Sequence, residues 1–358
     1  YVVAELGTFI AKDTDQGRVI IHRTNRNGGK SEVVLTSKGR IADVTARDLD
    51  ADGHVDIAVA EFGWQKTGGV HILWGQGRGP DGKLKFRHQA LSKDPGAISV
   101  GVADMDGDGR VDIVVNFAQH LERIVIYHQV SLRRFIAKTI FAADSPLWGS
   151  MAIGLVDVDG DGKTDVVHVN GDALDAPKLA PFQGVHWLKN HGQKKYTSTR
   201  LAQLPGAHAI TWGDYDGNGL LDLVAVSNLP PGIEETLSRP KTANHEPVQL
   251  ESVILLSQIK RGAFKTYSIH RNDPCFSAAV SGDWDGDGDL DVAIGAFGMG
   301  WTLLGQYSGL PKGISPKLCS VGHVFILENQ RAGQRSSRPP PAPLLSPRSY
   351  LDLRLRAL

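Results

Sequence analysis

The chain has 358 residues, 41% of them hydrophobic and 22% charged, and its 39 basic and 39 acidic side chains cancel to a formal net charge of zero. That composition is of a folding chain rather than a disordered or collagen-like one, and it carries no basic excess that would point to nucleic acid. No apolar run approaches the roughly 18 residues of a membrane-spanning helix.

Residues 2–7 read Val-Val-Ala-Glu-Leu-Gly and parallel 57–63, which directly follow an acidic loop. The chain is therefore expected to open inside a repeat, with 1–37 supplying the second to fourth strands of a unit whose inner strand is missing. It reads as a fragment or processed product. There is no initial Met or signal peptide, but a missing upstream region would be the place for one.

From residue 48 onward one motif recurs, three carboxylates on alternate positions, a glycine, and a further carboxylate. The first copy is Asp48, Asp50, Asp52 and Asp56, the second Asp104, Asp106, Asp108 and Asp112, the third Asp157, Asp159, Asp161 and Asp165. The fourth is Asp214, Asp216, Asn218 and Asp222, and the fifth Asp283, Asp285, Asp287 and Asp291. Alternate side chains converge on one point only if the backbone curls, and glycine allows the positive φ this needs. Oxygen-only ligands favour a hard cation of flexible coordination. Calcium fits better than magnesium, completed by water and the backbone carbonyl of the seventh residue: His54, Arg110, Lys163, Leu220 or Asp289. Up to five calcium ions are expected, and the Asn218 loop should be the weakest.

The opening is like an EF-hand, but that loop ends in a bidentate Glu at its twelfth position. Here Val59, Val115, His168, Ala225 and Ile294 stand there. The segments leaving the loops, 57–60, 113–116, 166–169, 223–226 and 292–295, are β-branched apolar runs, which predict strands. The loop is thus read as a calcium site in a β-hairpin. The competing reading, that Asp and Gly recur because hairpin turns favour them, does not explain five copies with one carboxylate spacing.

The motifs recur roughly every 50 to 70 residues, which marks a propeller or solenoid. Strands rich in small residues (97–102, 150–155, 208–213, 277–282) enter the loops. The third strands follow at 70–74, 123–127, 185–188, 252–256 and 323–327, and fourth strands at 86–91, 135–140 and 264–269. Four antiparallel strands per repeat predict an all-β fold, a β-propeller of four-stranded blades. Six blades are traceable, at 1–37 (partial), about 41–92, 97–142, 150–203, 208–271 and 277–329, and a seventh would lie upstream. An open solenoid of the same strands is the alternative. These repeats resemble the FG-GAP and VCBS family, the calcium-loop propeller repeats of integrin alpha subunits and of many bacterial secreted or surface proteins. The resemblance covers residues 1–329 and implies fold and metal, not function. The family's glycine-aromatic signature survives only in part, at Glu61, Phe62 and Gly63 and at Gly295, Ala296, Phe297 and Gly298.

After residue 329 the composition turns to Arg, Pro, Ser and Leu, so 330–358 reads as a disordered tail. Residues 350–356 alternate, however, and an outer strand of the last blade is the other reading. Cys275 and Cys319 would both lie at the end of the blades away from the acidic loops, where either a disulfide or two buried thiols fit. A disulfide would suit an extracytoplasmic location, secreted, periplasmic or at the cell surface.

About half of the 39 acidic residues lie in the five loops. Filling them with calcium would leave the chain net positive, which suggests an anionic polysaccharide as partner against the alternative of a scattered, solvated surface. The connections between second and third strands vary in length, and variable loops on a rigid scaffold are where binding resides. Candidate ligand-face residues are Trp64, His120, Trp148, Phe182, His208 and Trp301, for a carbohydrate or protein partner on the face opposite the acidic loops. The competing reading is that these aromatics plug gaps between blades. Trp74, Trp187 and Trp212 lie within strands and are expected in the core, and Trp284 is expected to pack within its loop.

No nucleophile with a base, phosphate-cradling glycine loop or zinc spacing is convincing. His168 and His186 sit in apolar strands, where a structural role is expected. His120, Lys178, His208 and His245 are too dispersed in sequence to form a recognisable active site. The preferred class is a non-catalytic calcium-binding module for adhesion or carbohydrate binding outside the cytoplasm. The alternatives are a polysaccharide lyase or hydrolase on such a scaffold, or an accessory domain of a larger redox or signalling protein.

Overall fold

The computed structural model describes residues 1–7, 13, 16–25, 28–172, 180–229, 250–271, 275–296, 324–329 and 353–357. Among them all regular structure is β, arranged as six antiparallel sheets in chain order. The first has three strands, β1 (Val2–Glu5), β2 (Arg18–Asn25) and β3 (Gly28–Thr36). The second holds β4 (Ile41–Arg47), β5 (Asp56–Glu61), β6 (Gly69–Arg78) and β7 (Leu84–Ser92), and the third β8 (Ala97–Ala103), β9 (Asp112–Phe117), β10 (Arg123–Ser131) and β11 (Arg134–Ala142). The fourth comprises β12 (Ser150–Val156), β13 (Asp165–Asn170), β14 (Gly184–Asn190) and β15 (Tyr196–Gln203). The fifth comprises β16 (Ala207–Gly213), β17 (Asp222–Ser227), β18 (Glu251–Lys260) and β19 (Ala263–Arg271), and the sixth β20 (Phe276–Gly282), β21 (Asp291–Ala296), β22 (Val324–Asn329) and β23 (Leu353–Ala357).

Every four-stranded sheet is an up-and-down meander, the blade unit of a β-propeller. The first sheet has three strands in the order β1-β2-β3. The sixth takes its outer strand from the segment read as a tail, with Phe325 to Asn329 paired against Ala357 to Leu353. The tail expectation for 330–358 therefore gives way, over 353–357, to the outer-strand reading. Alternation of apolar residues suits an edge strand with one solvated face, and here it prevails over the proline-rich approach to it.

Burial follows strand position. Strands β5, β9, β13 and β17 are buried at every residue, because both faces are covered by neighbours. This is why they read as continuous apolar runs rather than alternating ones. Outer strands such as β11 alternate between half-buried and exposed.

The chain divides into two compact units, residues 1–157, 162–168 and 187–199 in one and 158–161, 169–186 and 200–358 in the other. In the first, Val19, Ile41, Ile57, Val59 and Leu73 form one core, and Trp74, Val100, Val115 and Phe117 belong to a second. A third gathers Met105, Ile126, Val166 and Leu188. In the second unit Tyr215, Val226, Leu255, Phe276 and Ile294 pack together. Small residues on inner strands let neighbouring sheets approach. A Cβ on Gly101 would lie 2.7 Å from Leu155 Cδ1, and one on Gly213 2.4 Å from Leu290 Cδ1.

Trp74 is fully buried and Trp187 buried, whereas Trp212 is half-buried. Trp284 is exposed and lies over Gly282. Cys275 is disulfide-bonded and buried. Cys319 lies outside the described residues, as do Lys178, His245 and Trp301.

Candidate metal loops

Each acidic loop joins the inner strand of a sheet to its second strand, and its own backbone amides organise the carboxylates. In the first, Asp48 accepts from the amides of Asp52 at 3.2 Å and Gly53 at 3.0 Å, and Asp52 accepts from the amide of His54 at 2.9 Å. The second repeats this with Asp104, which accepts from Gly107, Asp108 and Gly109. So do the fourth with Asp214 and the fifth with Asp283. In the third, the amide of Gly162 reaches Asp157 at 2.7 Å. The fourth and sixth loop positions adopt positive φ. Four loops place glycine at the fourth position, but the first places Ala51 there, at φ 60°.

This folding brings carboxylate oxygens to within 4.8 Å of one another in the groups Asp48, Asp50 and Asp56, Asp104, Asp106 and Asp108, and Asp214, Asp216 and Asp222. All donors are oxygens, as a hard cation requires. Asp106 Oδ1 is buried without a hydrogen-bond partner, which a bound cation would satisfy. The residues present thus fit the calcium expected from the spacing, with Asp50, Asp52, Asp108, Asp285 and Asp287 on the same loops and Asn218 in the fourth. His128 adds a nitrogen beside the second loop, its Nδ1 lying 3.0 Å from Asp112 and 3.5 Å from Asp106.

The last carboxylate of each motif differs from the others. Asp56, Asp112, Asp165, Asp222 and Asp291 are fully buried. Asp56, Asp112, Asp222 and Asp291 each accept the amide of the loop's second residue, Leu49, Met105, Tyr215 and Trp284, at 2.9–3.0 Å. Each of the five also accepts an amide from the third strand of its sheet, from Gly75, Gln129, Asn190, Gln258 or Asn329. Burial pushes Asp56, Asp222 and Asp291 up against the pull of these amides, Asp222 to about 6. Neighbouring loop carboxylates push the same way.

The same third-strand position carries a device that the acidic motif does not reveal. Gln129 Nε2 donates to Val111 O of its own loop at 3.0 Å and to Leu49 O of the preceding loop at 2.9 Å. Asn190 donates likewise to Thr164 O and Met105 O, and Gln258 to Leu221 O and Val158 O. Asn329 reaches Tyr215 O at 2.6 Å. A buried carboxamide thus ties successive loops together within each unit. Gly75 takes this position in the second sheet. The available signal was a Gln or Asn closing each apolar third-strand run.

Basic side chains from the following sheet also reach these loops. Arg133 binds Asp50 and Asp52 while lying over the Trp74 ring, Lys194 Nζ is 3.2 Å from Asp106, and Arg261 donates to Gly160 O at 3.1 Å.

Five of the six candidate ligand-face residues lie among the described residues, Trp301 lying outside them. Trp64 and His120 are exposed on connections leaving β5 and β9. Trp148 packs at a tilt against Phe141 and stacks on His168, and the Phe182 carbonyl faces His186 Nε2 at 3.2 Å. His208 Nδ1 donates to Ser277 O at 3.0 Å, so that ring links β16 to β20. Burial pushes both His208 and His186 down to about 4, against the pull of these carbonyls.

Antiparallel four-stranded blades with an acidic loop in the first hairpin define a blade-repeat protein of the β-propeller kind. More narrowly, residues 48–115, from the first acidic loop through most of β9, match the family model of the FG-GAP-like repeat. No match was found among curated proteins. Among solved structures, the crystal structure of the V. cholerae biofilm matrix protein Bap1 is similar over 78% of this chain and 40% of that one, at 18% identity and a TM-score of 0.38. This chain therefore spans well under half the length of that protein. No helix among the described residues is long and apolar enough to cross a membrane, which says nothing of β-barrels.

Proposed function

We propose that this protein is a calcium-binding, non-catalytic blade-repeat module that works outside the cytoplasm and binds a carbohydrate or protein ligand. The observation that carries the calcium reading is the convergence of carboxylates in successive loops by one hydrogen-bond scheme, with the buried Asp106 oxygen left for a cation. Calcium supplies charge neutralisation among carboxylates that otherwise repel. The chain's own residues do the rest. The first Asp of each loop shapes the turn, the last anchors it to the third strand, and the carboxamide ties it to its neighbour.

Ligand binding is assigned to the connections at the opposite ends of the strands, where Trp64 and His120 are exposed and lengths differ between sheets. An anionic polysaccharide is the favoured ligand class, because filling the loops leaves the remaining charge basic. A glycan array probed with calcium-loaded protein tests this. Retention of acidic glycans that falls on Trp64→Ala or His120→Ala supports it, and binding indifferent to both substitutions and to calcium contradicts it.

A further inference from the structure

The second sheet carries a linked polar set of Glu61, His71 and His88. Glu61, at the end of β5 away from the acidic loop, is 5% exposed. Its Oε1 accepts from Ser37 Oγ, and its Oε2 lies 2.7 Å from His71 Nε2 on β6. On the far side of that ring, His71 Nδ1 is 3.1 Å from Nε2 of His88, an exposed residue on β7. An ionised carboxylate only accepts, so His71 carries its proton on Nε2 and presents the Nδ1 lone pair towards His88.

His71 pairs with Val59 of the second strand, and the corresponding positions hold Val125, Ile254 and Phe325 in the third, fifth and sixth sheets. In the fourth, His186 stands four residues before Asn190 as His71 stands four before Gly75, but its Nε2 faces the Phe182 carbonyl instead of a carboxylate. The position of His88 is taken by Ala137 and Thr266 in the third and fifth. Glu61, last in β5, corresponds to Phe117, Asn170, Ser227 and Ala296, so a carboxylate stands there in the second sheet alone of these five. Gly69 leaves room for the ring, since a Cβ there would sit 3.0 Å from His71 Nε2.

We propose that His71 and His88 form a binding site for a borderline divalent transition metal of the zinc class, with His71 Nδ1 and His88 Nε2 as ligands and Glu61 orienting His71. Zinc–nitrogen bonds of about 2.0–2.1 Å at a tetrahedral angle put the two nitrogens about 3.3–3.4 Å apart. The observed 3.1 Å requires an opening of only a few tenths of an ångström. A carboxylate that holds the distal nitrogen of a ligating histidine is the usual support for such a ligand. Imidazole nitrogen suits zinc, copper or nickel rather than calcium, so this site is chemically separate from the acidic loops. His88 now donates its Nε2 proton to His71. Taking a metal moves that proton to His88 Nδ1 through solvent, with no net loss from a neutral ring. Water fills the remaining positions on the exposed side.

The test is a zinc titration of the full chain in saturating calcium, against a chromophoric chelator, with cobalt(II) absorption as a second readout. One zinc per chain is expected beyond whatever the His71→Ala/His88→Ala double variant retains. His88→Ala alone should abolish it, and Glu61→Gln should weaken it about 10–100-fold. His88 is exposed, so its removal leaves folding intact and decides the matter even if Glu61→Gln is unstable. Absence of this zinc from the parent chain, or zinc retention unchanged by His88→Ala, overturns the proposal.

Discussion

Gln129→Ala is the sharpest probe of how the blades are joined. The side chain is 2% exposed, gives two hydrogen bonds to the carbonyls of Val111 and Leu49, and accepts a third from the amide of Arg133 at 3.1 Å. Three bonds at a net of about 0.5–1.5 kcal/mol each give roughly 1.5–4.5 kcal/mol. A buried acceptor left without a donor costs about 1–3 kcal/mol, so the upper part of that range applies, about 3–4.5 kcal/mol. Urea unfolding in excess calcium measures it, with Gln76→Ala, on an exposed residue of β6, as a control expected within about 0.5 kcal/mol of the parent. Gln129→Leu, which keeps the volume and removes the donors, should lose a comparable amount. If Gln129→Ala stays within 0.5 kcal/mol of the parent at unchanged m-value, the carboxamide does not tie the loops, and the account of inter-blade cohesion in this unit is wrong.

Ala51 occupies a left-handed position that glycine fills in the other four loops, so Ala51→Gly should stabilise by about 0.5–1 kcal/mol; a loss of stability on denaturant unfolding would refute this. His208 is held near 4, below the ordinary 6.5 of histidine, so the folded chain binds fewer protons than the unfolded one between those values. The stability this represents is present in full above pH 6.5 and lost as pH falls towards 4. The difference in unfolding midpoint between parent and His208→Gln should therefore shift in favour of the variant on going from pH 7 to pH 5, and a difference constant with pH would contradict it. Asp106→Ala should remove one calcium equivalent by calorimetry while leaving the other loops occupied, and a loss of all equivalents together would refute their independence.

The repeat, the strand order and the position of the loops were legible because each rests on local chemistry: a carboxylate spacing, a glycine at positive φ, an apolar run covered on both faces. What was not legible depended on contacts between distant residues. Gln129, Asn190, Gln258 and Asn329 follow their loops at unequal intervals, because the connections between second and third strands differ in length, so no fixed motif contains them. Within the motif, the last Asp is expected as one more ligand, and the spacing does not reveal that it is also fully buried and anchors two backbone amides. Trp212 was expected in the core and is half-buried. The hydrogen bond from His208 to the carbonyl of Ser277, sixty-nine residues away, is likewise one that no spacing rule could supply. The strand at Leu353–Ala357 falls largely within the alternating stretch and is legible only by setting periodicity above composition.

The central claim is that the acidic loops are calcium-held staples of the blades, and thermal unfolding with and without calcium tests it most directly. Carboxylates clustered within 4.8 Å repel one another unless a cation lies among them. The melting temperature of the full chain should fall by several degrees in excess chelator, return on adding calcium, and resist replacement of calcium by magnesium. A melting temperature that is the same in chelator and in millimolar calcium would contradict the account.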